Sequence, residues 1–160
     1  MKIIIGIVLL LNIIIYANDD YIIDDYSFEW KIETVGEVSF SLIKENERTR
    51  VILFKKGGFT GVYLSFTPRE AVLIGEKLKD TNKYYKKQKT SKVSVSDKVN
   101  IGDYIIKFST SEKYGFSVQL IRNTLFTDPL YLTRKEAKKL SNLLVQSKKL
   151  ESFLNKKVDF

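Results

Sequence analysis

Few residues in this chain carry catalytic chemistry. Its 160 residues include no cysteine and no histidine, which excludes a thiolate nucleophile, an imidazole base and the usual zinc ligands. Paired carboxylates at Asp19-Asp20 and Asp24-Asp25 lie in an acidic stretch without neighbours that could complete a metal site. The glycine-rich segment 57–61 lacks the spacing of a phosphate-binding loop. The sequence therefore predicts a protein that is not an enzyme and uses no cofactor or metal.

The abundant lysine and tyrosine residues support a different chemistry, that of binding. The chain holds 27 basic and 19 acidic residues, and 26 of the basic but 15 of the acidic ones lie after position 26, a net charge of +11. Such a charge favours a polyanionic partner, whether nucleic acid, anionic lipid or an acidic polysaccharide. Charge alone does not choose among these three.

The N-terminus has the pattern of a secretory signal peptide. Lys2 precedes an apolar run over 3–15, and the small Ala17 stands before a polar segment. The run is short for a membrane-spanning helix, which needs about 20 residues to cross about 30 Å of hydrocarbon. We expect residues 1–17 to be cleaved on export to the periplasm or the medium. An uncleaved membrane anchor and a buried strand remain alternatives.

After the signal, the chain predicts an acidic flexible lead over 18–27 and then a duplicated unit. Val35-Gly36-Glu37 recurs as Ile101-Gly102-Asp103, and the segment 67–71 recurs as 133–137, both at an offset of 66 residues. Self-similarity at one period is typical of a repeated structural unit. We predict units over 28–86 and 93–160, joined by a basic linker over 87–92. The lysine-rich connector over 83–92 is expected to be solvated.

Each unit reads as four antiparallel strands followed by one helix, an α+β fold with a pseudo-two-fold arrangement. Alternation of apolar and polar residues over 38–42 and 104–108 predicts half-buried strands. The helices are expected to begin at matching capping boxes, Thr67 with Glu70 and Thr133 with Glu136. An ungapped register between the units places these first-unit strand residues against the helices: Val38, Phe40, Leu42, Ile52, Phe54, Leu64 and Phe66. Ala71, Ile74 and Leu78 are the expected core residues of the first helix, and Ala137, Leu140, Leu144, Phe153 and Leu154 those of the second.

This pattern resembles the PUR (purine-rich-element-binding) repeat and the wider group of Whirly and transcription-positive-cofactor single-strand binders. The resemblance rests on two segments, YIIKFSTSEKYGFSVQL over 104–120 and LYLTRKEAKKL over 130–140. It covers roughly 35–85 and 101–154. It implies that the two units intertwine as an intramolecular pseudo-dimer, and that exposed sheet faces bind single-stranded DNA or RNA.

Alternation also predicts which residues lie on the sheet faces opposite the helices. Ammonium groups neutralise phosphates and tyrosine rings stack on bases, so the candidate binding residues on these faces and on the connector are Lys55, Tyr63, Lys107, Gln119, Tyr131, Lys86 and Lys87. The expected partner is single-stranded nucleic acid or another polyanion. The alternative is an envelope-associated interaction or structural module whose charge serves a protein partner or an anionic membrane surface. Trp30 is expected to pack in the core.

Overall fold

The structure, a computed structural model, describes residues 27–57, 61–91, 93–124 and 128–158. Within these residues eight strands and four helices follow in chain order: β1 (Ser27–Val35), β2 (Val38–Glu45), β3 (Arg48–Lys55), β4 (Val62–Phe66), α1 (Pro68–Leu78), α2 (Thr81–Gln88), β5 (Val95–Ile101), β6 (Tyr104–Ser111), β7 (Gly115–Arg122), β8 (Leu130–Leu132), α3 (Arg134–Leu144) and α4 (Ser147–Val158). The strands form two antiparallel four-stranded sheets, β1–β4 and β5–β8, each in chain order. The predicted α+β fold with two four-stranded units is confirmed.

Two features of each unit follow directly from local sequence. The β1–β2 and β5–β6 hairpins turn at Gly36 and Gly102, whose φ angles of 62° and 53° lie in the left-handed region that glycine adopts freely. Helices α1 and α3 begin at the predicted capping boxes, since Thr67 and Thr133 both accept from the backbone N–H three residues on. The recurring residues thus mark the same turns and helix starts in both units.

The expectation of one helix per unit is wrong, because each sheet is followed by two helices. The first helical stretch ends after Leu78, where the Thr81 hydroxyl donates to the Leu78 carbonyl oxygen at 2.6 Å. Short polar side chains of this kind compete with helical hydrogen bonding and favour a break. In the second unit the break falls between Leu144 and Ser147, so Phe153 and Leu154 belong to a separate helix.

The predicted phase of the third strand is also wrong. Val51 and Leu53 are fully buried towards the helices, whereas Ile52 and Phe54 lie on the opposite face of β3. The β2–β3 turn contains two residues, but the β6–β7 turn contains three. A shift of one residue moves every side chain of a strand to the other face, so an ungapped register between the units fails at this strand.

Helices α1 and α3 pack against each other between the two sheets. The buried Gly75 makes this approach close, since a methyl group there would lie 2.9 Å from Leu144 Cβ and 2.9 Å from the Val145 nitrogen. The core residues predicted for these helices are buried, and the buried apolar residues of both units form one continuous cluster. The two units therefore share a single core.

The second helix of each unit packs on the other unit's sheet. In α2, Tyr84 stacks on Phe108 of β6 with ring centroids 4.2 Å apart and an interplanar angle of 14°. In α4, Phe153 lies 5.4 Å from Trp30 of β1, and Leu154 is buried. Trp30 thus packs against the core, as the sequence predicts. The exchange interlocks the two units.

This exchange corrects the expectation of a wholly solvated connector over 83–92. The lysines of α2 are exposed, but Gln88 is buried and ties the helix to the second sheet. Its Nε2 donates to Asp97 Oδ2 at 2.8 Å and to the Phe108 carbonyl oxygen at 3.1 Å, and its Oε1 accepts from Thr110 at 3.0 Å. Hydrogen bonds from Lys87 and then from Gln88 lower the pKa of Asp97. Residues 83–88 of the connector therefore belong to a structural helix.

The predicted signal over 1–17 and all of the acidic lead except Ser27, which begins β1, fall outside the described residues. Among the residues that are described, no helix has both the length and the apolar character needed to cross a bilayer.

The α1–α3 contact leads to a stability prediction. Gly75→Val should lower the free energy of unfolding by about 1–3 kcal/mol, because the added side chain would force two helix backbones apart. Replacement of a glycine by valine inside a helix normally favours the helix. A lower free energy of unfolding would therefore report the packing effect. Urea denaturation measures it. Gly57→Val is the control, since an added Cβ there meets no atom within 4 Å, and equal midpoints for the two variants would contradict the prediction.

Candidate functional site

An open groove of about 660 Å³ lies on the face of the second sheet that points away from the helices. It forms because the strands alternate, with apolar residues such as Ile106, Phe108 and Val118 buried on the inner face. Strand register places one row of outward residues across all four strands: Lys98, Lys107, Gln119 and Tyr131. A neighbouring row consists of Ser96, Ser109 and Ser117.

The floor of the groove is a polar network of short side chains. Ser109 Oγ lies 3.4 Å from Ser117 Oγ, and Gln119 Nε2 donates to Ser109 Oγ at 3.4 Å. Serine side chains are short, so the row they occupy forms the low part of the surface between longer lysine and tyrosine side chains. The floor thus offers both hydrogen-bond donors and acceptors to a ligand.

Two exposed tyrosines line the groove. Tyr131 on the edge strand β8 is 53% exposed, and Tyr114 in the β6–β7 turn is 78% exposed. Lys113 Nζ lies 5.0 Å from the centroid of the Tyr114 ring. Tyr114 belongs to the three-residue turn that distinguishes this unit from the first. Both aromatic side chains are thus exposed to solvent at the groove.

The charge on this face has one sign. Lys98 and Lys107 are register partners on neighbouring strands, and no outward-facing residue of β5–β8 is acidic. Like charges directly opposite each other on a sheet are destabilising. The groove therefore has a positive field that the described strands do not neutralise.

The outer face of the first sheet differs in charge and surroundings. Tyr63 is 56% exposed there and is the register partner of Phe54. Burial, followed by the nearby carboxylates of Glu45 and Glu29, raises the pKa of Tyr63. These carboxylates oppose the approach of a phosphate, and Tyr63 does not line the groove that holds Tyr131.

The seven candidate binding residues therefore do not form one surface. Lys107, Gln119 and Tyr131 share a row in the groove, whereas Tyr63 lies on the other sheet. Lys86 and Lys87 lie on α2, which packs on the opposite face of the second sheet, and Lys87 Nζ pairs with Asp97 at 2.7 Å. The connector lysines are thus separated from the groove by the sheet itself.

The predicted position of Lys55 on the outer face is wrong, for the same reason that the phase of β3 is wrong. Lys55 shares the inner side of its sheet with Val38 and Val62. Its Nζ lies 3.2 Å from Glu37 Oε2 and donates to the Tyr131 carbonyl oxygen at 3.4 Å. Lys55 therefore connects the two units.

Sequence reasoning missed Lys98 and Tyr114. Alternation of Ser96, Lys98 and Asn100 is present in the sequence and could have identified the outward face of β5. The pairing of Lys98 with Lys107, however, depends on strand register. Tyr114 becomes part of the groove only because the β6–β7 turn that holds it borders the groove.

Two four-stranded sheets, each followed by helices, are compatible with the two-unit arrangement that the sequence predicts. Neither a family model nor a curated protein matches this chain. The chemistry of the groove therefore has to be argued from its own residues.

The paired lysines generate a prediction about stability. Lys98→Glu should raise the free energy of unfolding by about 0.2–1 kcal/mol, because it replaces a like-charge cross-strand pair with an opposite-charge pair. The gain should shrink as salt increases. Urea denaturation at low and high salt measures both effects. Lys98→Gln is the control that reports the relief of repulsion alone. If Lys98→Glu is no more stable than the wild type at low salt, the pairing is refuted.

Proposed function

We propose that this protein binds single-stranded nucleic acid in the groove on the outer face of the second sheet. The observation that carries the proposal is the pair Lys98 and Lys107, which shares one cross-strand row with the exposed Tyr131 on a face without acidic strand residues. Lysines neutralise backbone phosphates, and tyrosine rings stack on bases of any identity. This combination suits an unpaired strand.

The dimensions of the groove support a short stretch of single strand. The row from Lys98 to Tyr131 crosses three inter-strand spacings, roughly 14 Å, which is room for a few nucleotides. Stacking on Tyr131 and Tyr114 requires bases that are not already paired in a duplex. Gln119 and the serine row would supply contacts that tolerate different sequences.

The resemblance to PUR and Whirly-type folds also favours this function. In those families two units intertwine and exposed sheet faces bind single strands. Here two four-stranded sheets share one core and exchange their second helices, so the helices of the described residues do not cover the outer sheet faces. Of the two faces, the second lacks the carboxylates present on the first, so we assign binding to the second.

The proposal includes export, which rests on the N-terminal pattern alone. A mature chain without residues 1–17 should begin at Asn18, because a small residue such as Ala17 precedes a typical cleavage site. Intact mass of the protein purified from cells that make the full-length chain measures this. Ala17→Arg should block cleavage, so the purified variant should have the mass of its full-length precursor. An uncleaved wild-type chain would rule out the cleaved signal and leave the anchor as the alternative.

Binding to labelled single-stranded DNA and RNA over a salt series tests the main proposal. Tyr131→Ala should weaken binding by about 1–3 kcal/mol, the effect expected for one stacked base. Lys107→Gln should reduce the slope of log affinity against log salt by about 0.7, the loss of one phosphate contact. Fluorescence anisotropy measures both quantities.

The first sheet offers matched controls for both substitutions. Tyr63 is as exposed as Tyr131, and Lys31 occupies an outward position on β1. Tyr63→Ala and Lys31→Gln should leave affinity and salt slope nearly unchanged. Absence of binding at low salt, or equal losses for Tyr63→Ala and Tyr131→Ala, would sink the assignment.

A further inference from the structure

The two units differ at one equivalent place. There the start of the third strand of a unit (β3 or β7) meets the first helix of the same unit (α1 or α3) and the second helix of the other unit (α4 or α2). In the second unit this place is filled. Tyr85 meets Phe116 edge-on with ring centroids 5.4 Å apart, and Arg134 Cζ lies 4.1 Å above the Tyr85 ring. An aromatic cluster therefore closes the space.

In the first unit the same place is open. The positions equivalent to Phe116 and Tyr85 carry Thr49 and Glu151. These smaller and more polar side chains leave a pocket of about 380 Å³ between β3, the start of α1 and α4. Because the same backbone arrangement accommodates a filled site in the other unit, the fold itself does not require this opening.

The pocket is strongly basic. Four cationic side chains line it against the single carboxylate of Glu151: Arg48, Arg50, Arg69 and Lys148. Within the described part of the chain, none of the four is ion-paired with an acidic residue. Four cationic residues from three elements thus line the pocket against one carboxylate, and Arg50 also lines the neighbouring cleft that holds Glu45, Glu70 and Asp103. The excess of positive charge in the pocket favours a polyvalent anion.

A threonine hydroxyl adds directional chemistry. Thr49 is 8% exposed and lines the pocket. A hydroxyl group can both donate and accept a hydrogen bond. A ligand oxygen in the pocket would accept a hydrogen bond from this hydroxyl.

We propose that the first unit holds a binding site for a phosphate-bearing ligand in this pocket. Guanidinium groups match phosphate oxygens with two parallel hydrogen bonds, so three arginines suit a phosphate dianion better than a carboxylate. The volume falls within the range of small-molecule sites, about 300–1,000 Å³, and so admits a phosphate monoester with a small organic group. The pocket shares no residue with the groove of the second sheet, so this site is separate from the proposed nucleic-acid interface.

Isothermal titration calorimetry with inorganic phosphate at constant ionic strength tests the site. The protein is produced from the full-length chain. The wild type should bind phosphate, and the triple variant Arg48→Gln, Arg50→Gln and Arg69→Gln should lose at least about tenfold in affinity, the effect of a lost charge-assisted hydrogen bond. The control removes three exposed lysines that do not line the pocket: Lys138→Gln, Lys149→Gln and Lys156→Gln. It should change the affinity by less than about twofold if general surface charge contributes little.

Thr49→Phe provides a second test that keeps all four cations. It places in the first unit the residue type that fills the same position in the second, and should abolish phosphate binding by occupying the pocket. Thermal denaturation establishes that the variant is folded. Absence of phosphate binding by the wild type, undiminished binding by folded Thr49→Phe, or undiminished binding by the triple arginine variant would each overturn the proposal.

The phosphate group could belong to a small soluble ester or to a lipid head group. Sedimentation with phosphatidylcholine vesicles, with and without phosphatidic acid, separates these sources. Binding to phosphatidic acid that the triple arginine variant loses assigns the lipid source, and phosphate binding without vesicle binding assigns the soluble one. The triple variant should still bind oligonucleotide, whereas Tyr131→Ala should still bind phosphate, so each proposal can fail without the other.

Discussion

The close contact between α1 and α3 is the constraint on which the rest of this structure depends. Gly75 brings the two helices together at backbone distance, and the buried faces of both sheets close over this pair to form one core. Neither sheet could bury its apolar face on a single helix of eleven residues. The shared helix pair therefore turns two small units into one cooperative fold.

Exchange of the second helices extends this dependence to both sheets. Stacking of Tyr84 on Phe108 and packing of Phe153 on Trp30 hold each sheet against the helix that follows the other sheet. The units are also joined at equivalent edge-strand carbonyls, since the Tyr104 hydroxyl donates to Ser65 and Lys55 donates to Tyr131. The four described helices thus lie on the inner side of the sheets.

The two units have similar strand and helix order but different surface chemistry. The outer face of the second sheet combines lysines, serines and exposed tyrosine, whereas on the first sheet burial and then nearby carboxylates raise the pKa of Tyr63. The space beside the third strand also differs between the units, but here the basic surface is in the first unit. Aromatic rings fill this space in the second unit, whereas in the first unit it is an open basic pocket. A fold of two similar units can in this way present two unlike surfaces, because outward side chains contribute little to the shared core.

The sequence by itself determined the two units, their four antiparallel strands, the capped helix starts and the core residues of α1 and α3, because periodicity, turn glycines and capping boxes are local signals. It also identified Lys107, Gln119 and Tyr131, which alternate outward on strands placed correctly. Only the tertiary structure decided that β3 is shifted, that Lys55 joins the two units, that α2 crosses to the second sheet, and that Lys98 lies beside Lys107. Those features depend on turn length, strand register and helix exchange, and each of these is set by packing between residues far apart in the chain.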